Sequence, residues 1–158
     1  MNETPRFAAD RMVGRLARWL RLLGADVSYH RTRSGPAALR LARAEQRPLL
    51  TRDKRLRTAP DVLYLQANAL RDQLFEVLRR YPFDPYAGAL SRCSQCNQPL
   101  EDLPPTAAQE LVPPYVFKTQ SHFAQCPQCG KIYWPATHVT RMANEIATLQ
   151  RRLDTAGT

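Results

Sequence analysis

Phe7-Ala-Ala-Asp10-Arg-Met-Val-Gly14-Arg-Leu-Ala-Arg18-Trp-Leu-Arg-Leu-Leu-Gly24 reads as a strand running straight into a helix. Phe7-Ala8-Ala9 is short, apolar and closed by Asp10, which predicts a buried strand. From residue 11 to 23, Met12, Leu16, Trp19, Leu20 and Leu23 recur at helical spacing, and Gly24 is a natural stop. The same alternation continues outward. Val27-Ser-Tyr29 predicts a second strand, Pro36 to about Gln46 a helix, Pro48-Leu-Leu-Thr51 a third strand, and Val62-Leu-Tyr-Leu65 a fourth. Asn68 is placed to cap a further helix whose Leu70, Leu74, Val77 and Leu78 face the sheet. Strand–helix alternation with short connections predicts an α/β core, a parallel sheet covered on both faces.

Tyr81-Pro-Phe-Asp-Pro-Tyr86 ends that unit, and different chemistry follows. Cys93-x-x-Cys96 and Cys126-x-x-Cys129 hold all four cysteines of the 158-residue chain. Each spacing turns two sulfurs toward one centre, and four thiolates at about 2.3 Å satisfy the closed tetrahedral preference of Zn²⁺. Asn97 and Gly130 directly follow the second cysteine of each pair, and Gly130 supplies a backbone free to take φ > 0 where amides turn toward sulfur. Two structural disulfides are the alternative, and nothing in the chain points to the oxidising compartment they need. A full set of four cysteines leaves no open position for water, so the expected metal is structural. Pro104-Pro105 and Pro113-Pro114 predict an extended or looped segment between the pairs. Val139, Met142, Ala143, Ile146, Leu149 and Leu153 predict a last amphipathic helix. The expected divisions are residues 1–85, 86–138 and 139–158.

No stretch approaches the roughly 20 apolar residues that span a bilayer, and no apolar run marks a secretory signal at the N-terminus. A cytoplasmic protein without a membrane partner is the expectation; the oligomeric state is open. Net charge is +9, with 20 arginines among the 23 basic residues. Residues 1–90 carry 17 basic and 9 acidic side chains, so most of the excess sits ahead of the cysteines. Guanidinium forks match phosphate geometry, which points to nucleic acid; a bias toward arginine in a GC-rich genome is the alternative.

Ligands of an open parallel sheet bind beyond the carboxyl ends of its strands. Asp10 ends the first strand and Asp53 follows the third, so both carboxylates point into one crevice. Oxygen ligands gathered in this way suit Mg²⁺ or Mn²⁺. Each aspartate alone reads equally well as the cap of the turn that follows it. Arg11, Arg15 and Arg18 share one helical face at i, i+4, i+7 with Arg21 beside them, and no acid occurs between positions 11 and 25. Such a surface of one sign is relieved by a polyanion, although a solvated polar face is the simpler alternative.

Taken together, these residues resemble a known family. Phe7-x-x-Asp10-x-Met12-x-Gly14-Arg15-Leu16-Ala17-Arg18-Trp19-Leu20-Arg21-x-Leu23-Gly24 is similar to the opening signature of PIN-like RNases, of the branch found at the C-terminus of Mut-seven exonucleases. Leu49-Leu-Thr-Arg-Asp53 resembles the second signature of that branch. Arg92-Cys-x-x-Cys-Asn97, Val112-Pro113 and Cys126-x-x-Cys-Gly-Lys-Ile-Tyr-Trp134 with His138 resemble its zinc-ribbon tail. The resemblance implies a three-layer α/β/α nuclease core fused to a zinc ribbon, with RNA as substrate. It puts Asp10 and Asp53 on catalytic acids holding Mg²⁺ or Mn²⁺, with Thr51 positioning a water or ligand. Arg11, Arg15, Arg18, Arg21 and Arg52 become candidates for the RNA backbone. One departure stands out: members often carry an acid at the start of the helix after the second strand, where this chain has Ser34-Gly35-Pro36. Glu45, Asp61 or Asp72 then become candidate replacements. A non-catalytic RNA-binding protein with a decayed acidic site is the rival reading. A second departure is Pro135-Ala136-Thr137 ahead of His138, whose role is open.

Overall fold

The computed structural model describes residues 3–135 and 137–156; the side chains of His138 and Leu153 lie outside the described residues. The chain alternates β1 (Arg6–Ala9), α1 (Gly14–Leu22), β2 (Asp26–Tyr29), α2 (Gly35–Ala44), β3 (Leu49–Thr51), β4 (Val62–Tyr64) and α3 (Leu70–Arg80). A single 3₁₀ turn, Arg11–Val13, joins β1 to α1, and another, Lys54–Leu56, follows β3. The four strands are all parallel, in the order β2-β1-β3-β4.

Strand periodicity of two distributes the core. Phe7, Ala9 and Leu50 join Leu16 and Leu20 of α1, Leu74 and Leu78 of α3, and Ile146 of the last helix. Ala8 and Leu49 face the opposite way, onto Ala38, Leu39 and Ala42 of α2. The result is three layers, α/β/α. Gly24 ends α1 with φ of +102°. Asn68 does not cap α3: Ala69 holds that position without a side-chain bond, and Asn68 Oδ1 accepts instead from Arg52 Nη2 at 2.6 Å.

Beyond α3 lies a smaller antiparallel sheet, β5 (Glu101–Leu103), β6 (Phe123–Gln125) and β7 (Ile132–Tyr133), in the order β5-β6-β7. The segment between the cysteine pairs is mostly the extended or looped chain expected, β5 included, but two helical turns interrupt it. Pro105 and Pro114 begin two short helices, α4 (Pro105–Ala108) and α5 (Pro114–Thr119). A fixed φ and a missing N–H cost nothing in a first helical turn, and these turns bring Ala108, Val112 and Val116 onto Phe123 and Trp134. The last helix, α6 (Thr137–Ala156), buries Ala143 and Ile146 in the main core beside α3.

The ribbon is docked on the sheet through one edge. Strand β2 is terminal, so Val27 presents a backbone N–H and C=O with no neighbouring strand. Asn97 Oδ1 accepts the N–H at 3.0 Å, and Arg21 donates Nε and Nη2 to the carbonyl at 3.0 and 2.7 Å. Arg21 Nη1 also donates to the Ser94 and Gln95 carbonyls at 3.0 and 3.3 Å. Asn97 Nδ2 reaches Asp26 Oδ1 at 2.7 Å. The first cysteine pair thus closes an edge that an exposed sheet would leave open to pairing.

Candidate active site and metal centre

Asp10 and Asp53 stand at the carboxyl ends of neighbouring strands β1 and β3, and Thr51 couples them. The Thr51 hydroxyl donates to Asp10 Oδ2 at 2.5 Å and accepts the backbone N–H of Asp53 at 3.0 Å. Thr51 and Asp10 are both fully buried. Each aspartate is also a cap: Asp10 Oδ1 accepts from the Met12 N–H at 2.9 Å, and Asp53 Oδ1 from the Arg55 N–H at 3.0 Å. Capping does not use up the carboxylates, because each keeps lone pairs for a further partner.

The two carboxyls sit in different fields. Burial raises the Asp10 pKa above its ordinary value, and the Asp53 charge adds to it, against the bonds from Thr51 and Met12. Asp53 is lowered by its bonds from Arg55, whose Nη2 lies 2.8 Å from Oδ2 and whose Nε lies 3.1 Å from Oδ1. Sequence reasoning missed Arg55; the pair forms because the 3₁₀ turn over Lys54–Leu56 brings the two side chains round to one side.

Gly35 begins α2 beside this pair, with φ of +59°. A Cβ there would lie 2.7 Å from Arg55 Nη2 and 3.2 Å from Asp53 Oδ2. The start of α2 does reach the crevice where an acid was expected, and here an arginine fork fills the space. The replacement candidates are engaged elsewhere. Glu45 meets His30 Nε2 at 2.8 Å, Asp61 precedes β4 and pairs with Arg43 at 2.7 Å, and exposed Asp72 lies 3.9 Å from Arg71.

Among the arginines, Arg11, Arg15 and Arg18 are exposed along α1 and the turn before it. Arg21 corrects the expectation for that face: it is buried under the ribbon and its donors go to Val27, Ser94 and Gln95. Arg52 is half-buried and holds the loop after β4 through the Ala67 carbonyl and Asn68.

Cys93, Cys96, Cys126 and Cys129 bring their sulfurs within 4.8 Å of one another, close enough to hold a metal such as zinc. No disulfide joins them. The Cys93 and Cys129 sulfurs are 3.7 Å apart, near the edge of about 3.8 Å that a tetrahedron with Zn–S of about 2.3 Å requires. The two knuckles repeat the same geometry. Asn97 and Gly130 take φ of +63° and +79°, and their amides donate to the Cys93 and Cys126 carbonyls at 2.9 and 3.0 Å. The Cys96 and Cys129 amides approach the Cys93 and Cys126 sulfurs at 3.4 and 3.5 Å. Burial opposes ionisation of Cys93, but the Tyr133 hydroxyl and the Cys96 and Gln95 amides outweigh it and bring the thiol to about 6. Burial and the neighbouring sulfurs push Cys96 up to about 12. The lowered Cys93 and raised Cys96 thus do not ionise together without a cation, which suits the pair to one.

A doubly covered parallel sheet with coupled aspartates at its carboxyl ends, closed on one edge by a four-cysteine ribbon, defines a three-layer α/β protein with a second module of metal-binding type. The family model for the Mut7-C RNAse domain matches residues 5–146. The chain belongs to that family, which connects it to ribonuclease chemistry and to RNA. No curated protein and no solved structure matches it. Among the described residues, no helix is long and apolar enough to cross a membrane.

Proposed function

We propose that the protein is a divalent-metal-dependent ribonuclease that hydrolyses RNA phosphodiester bonds, with Zn²⁺ on its four cysteines holding the ribbon. The observation that carries this reading is the Thr51 hydroxyl bridging Asp10 to the Asp53 amide at adjacent strand ends. Asp10 is buried with its acidity suppressed, and a second carboxylate stands near, so the pair suits a cation. Asp10 and Asp53 would hold Mg²⁺ or Mn²⁺, which when bound activates water and offsets charge on the phosphodiester. Thr51 keeps the Asp10 carboxylate oriented. Arg55 is largely exposed on its side chain, so its contact with Asp53 exchanges readily for a substrate phosphate. Arg11, Arg15 and Arg18 would carry the RNA backbone past the site.

The rival, a non-catalytic RNA-binding protein, draws support from Arg55 standing beside Gly35 in place of a third acid. Incubation of zinc-loaded protein with single-stranded RNA and Mn²⁺ separates the two. The nuclease reading expects cleavage by the native protein, none by Asp10→Asn, and RNA binding by both. Binding without cleavage at any Mn²⁺ concentration, with Asp10→Asn indistinguishable from the native protein, favours the rival.

A further inference from the structure

The exposed stripe on α1 ends at a cleft. Arg15, Arg18 and Leu22 lie within about 60° of one another around the helix axis at 3.6 residues per turn, and Arg11 leads into them from the turn beside Asp10. Leu22 lines a cleft of about 510 Å³ between the end of α1 and the ribbon, with Tyr115, Gln120, Lys131 and Trp134 among its other walls. That volume falls in the roughly 300–1,000 Å³ range of small-molecule pockets. Tyr115 is 71% exposed, an aromatic ring left at the rim by a helix that buries Val116 instead. Trp134 is half-buried, and Lys131 is exposed with its Nζ 5.2 Å from the Tyr133 ring centre. Tyr133 itself is spent on the knuckle, its hydroxyl bonding Ser94 and Cys93.

The geometry points to this cleft as a site for an unpaired nucleobase of an RNA strand whose backbone follows the α1 arginines. The proposal rests on the ribonuclease reading for its polyanion and adds where the strand is gripped. Two accessible aromatic rings offer faces on which any base stacks, the Gln120 amide offers a donor and an acceptor, and Lys131 supplies charge for the adjoining phosphate. From Asp10 to Leu22 the 3₁₀ turn and α1 rise about 18–20 Å. That distance spans about five to six nucleotides at the ~3.4 Å step of a stacked strand, and fewer in a stretched one. The ribbon thereby measures out a length of single strand from the acidic crevice.

The test compares two 12-nucleotide strands, oligoadenylate and the same ribose-phosphate chain without bases, on zinc-loaded full-length protein carrying Asp10→Asn to prevent cleavage. The protein should bind oligoadenylate about tenfold more tightly than the baseless strand, the value of one stacked base. Adding Tyr115→Ala should remove most of that preference without changing zinc content or melting temperature, and Tyr115→Phe should keep it. Arg15→Ala should weaken both strands by the same factor. Equal affinity for the two strands, or a preference that survives Tyr115→Ala, overturns the nucleobase site. Cleavage by the native protein is read separately, so a failed cleft leaves the ribonuclease reading standing, and base-selective binding without cleavage leaves the cleft standing.

Discussion

Thr51 Oγ1 lies 2.5 Å from Asp10 Oδ2, and the same hydroxyl accepts the N–H of Asp53 at 3.0 Å. One side chain thus sets the orientation of one carboxylate and the backbone position of the other. Thr51→Val keeps the volume and removes both bonds. Partners of this kind are worth about 10–100-fold in metal affinity. Mn²⁺ titration followed by melting temperature should show that loss in Thr51→Val with the fold intact by circular dichroism. Unchanged Mn²⁺ stabilisation would remove Thr51 from the site.

Arg21 and its neighbours on α1 should separate cleanly. Arg21→Ala strips donors from the Val27, Ser94 and Gln95 carbonyls. The Val27 and Ser94 carbonyls are buried, and each left unpaired costs about 1–3 kcal/mol, so the variant should lose roughly 2–6 kcal/mol in denaturant unfolding. Arg15→Ala and Arg18→Ala remove exposed side chains and should stay within about 0.5 kcal/mol. Each should instead flatten the log–log salt dependence of single-strand binding by up to about 0.7. An Arg21→Ala variant of native stability refutes the edge-closing role.

The strands and helices of the core were legible because each has a buried face whose spacing is local: Leu16 with Leu20, Leu74 with Val77 and Leu78. The cysteine pairs were legible for the same reason, their spacing being the site. Arg21 was not. It continues the basic pattern of Arg11, Arg15 and Arg18, and only the approach of Ser94 and Gln95, more than seventy positions away, turns it from surface into core. Arg55 escaped notice because Arg52-Asp-Lys-Arg55 reads as a charged loop, and its hold on Asp53 exists only once the chain coils into a 3₁₀ turn. The short helices at Pro105 and Pro114 were not legible within a segment otherwise extended or looped, because proline marks the start of a helix as readily as its absence.

Zinc should matter beyond the ribbon. The Asn97 side chain caps the Val27 N–H, and the Ser94 and Gln95 carbonyls brace the Arg21 that caps the Val27 C=O, so loosening the knuckle exposes the N–H and slackens the hold on the carbonyl. Structural zinc contributes an apparent 10–16 kcal/mol in small peptides. Elemental analysis should find one zinc per chain, and chelation should lower the melting temperature of the core as well as unfold the ribbon. Amide exchange should then quicken at Val27 and change least at Leu50, in the interior strand β3. Protection at Val27 that survives chelation would show the two sheets to be independent.

Acidity gives the last prediction, and its sign follows from Asp10. Burial raises the folded Asp10 pKa above the ordinary carboxylate value of 3.8, so the folded state holds a proton that the unfolded chain has already released. Its contribution is fully present below that ordinary value and is lost as pH rises through the folded pKa. Asp53, Asp26 and Asp61 have lowered pKa values, so their contributions grow on approach to the ordinary value and are complete above it. Above about pH 4, Asp10 is therefore the aspartate that slopes stability downward. The melting temperature of zinc-loaded, Mg²⁺-free protein relative to Asp10→Asn should fall with rising pH and then level off. Any pH dependence of the zinc site is common to both proteins and cancels in the difference. Mn²⁺ should flatten the slope, because a cation on Asp10 displaces the proton from the folded state and leaves neither state with a proton to lose. A difference that is flat with pH, with and without Mn²⁺, would falsify the assignment of Asp10 as a buried carboxyl waiting for a cation.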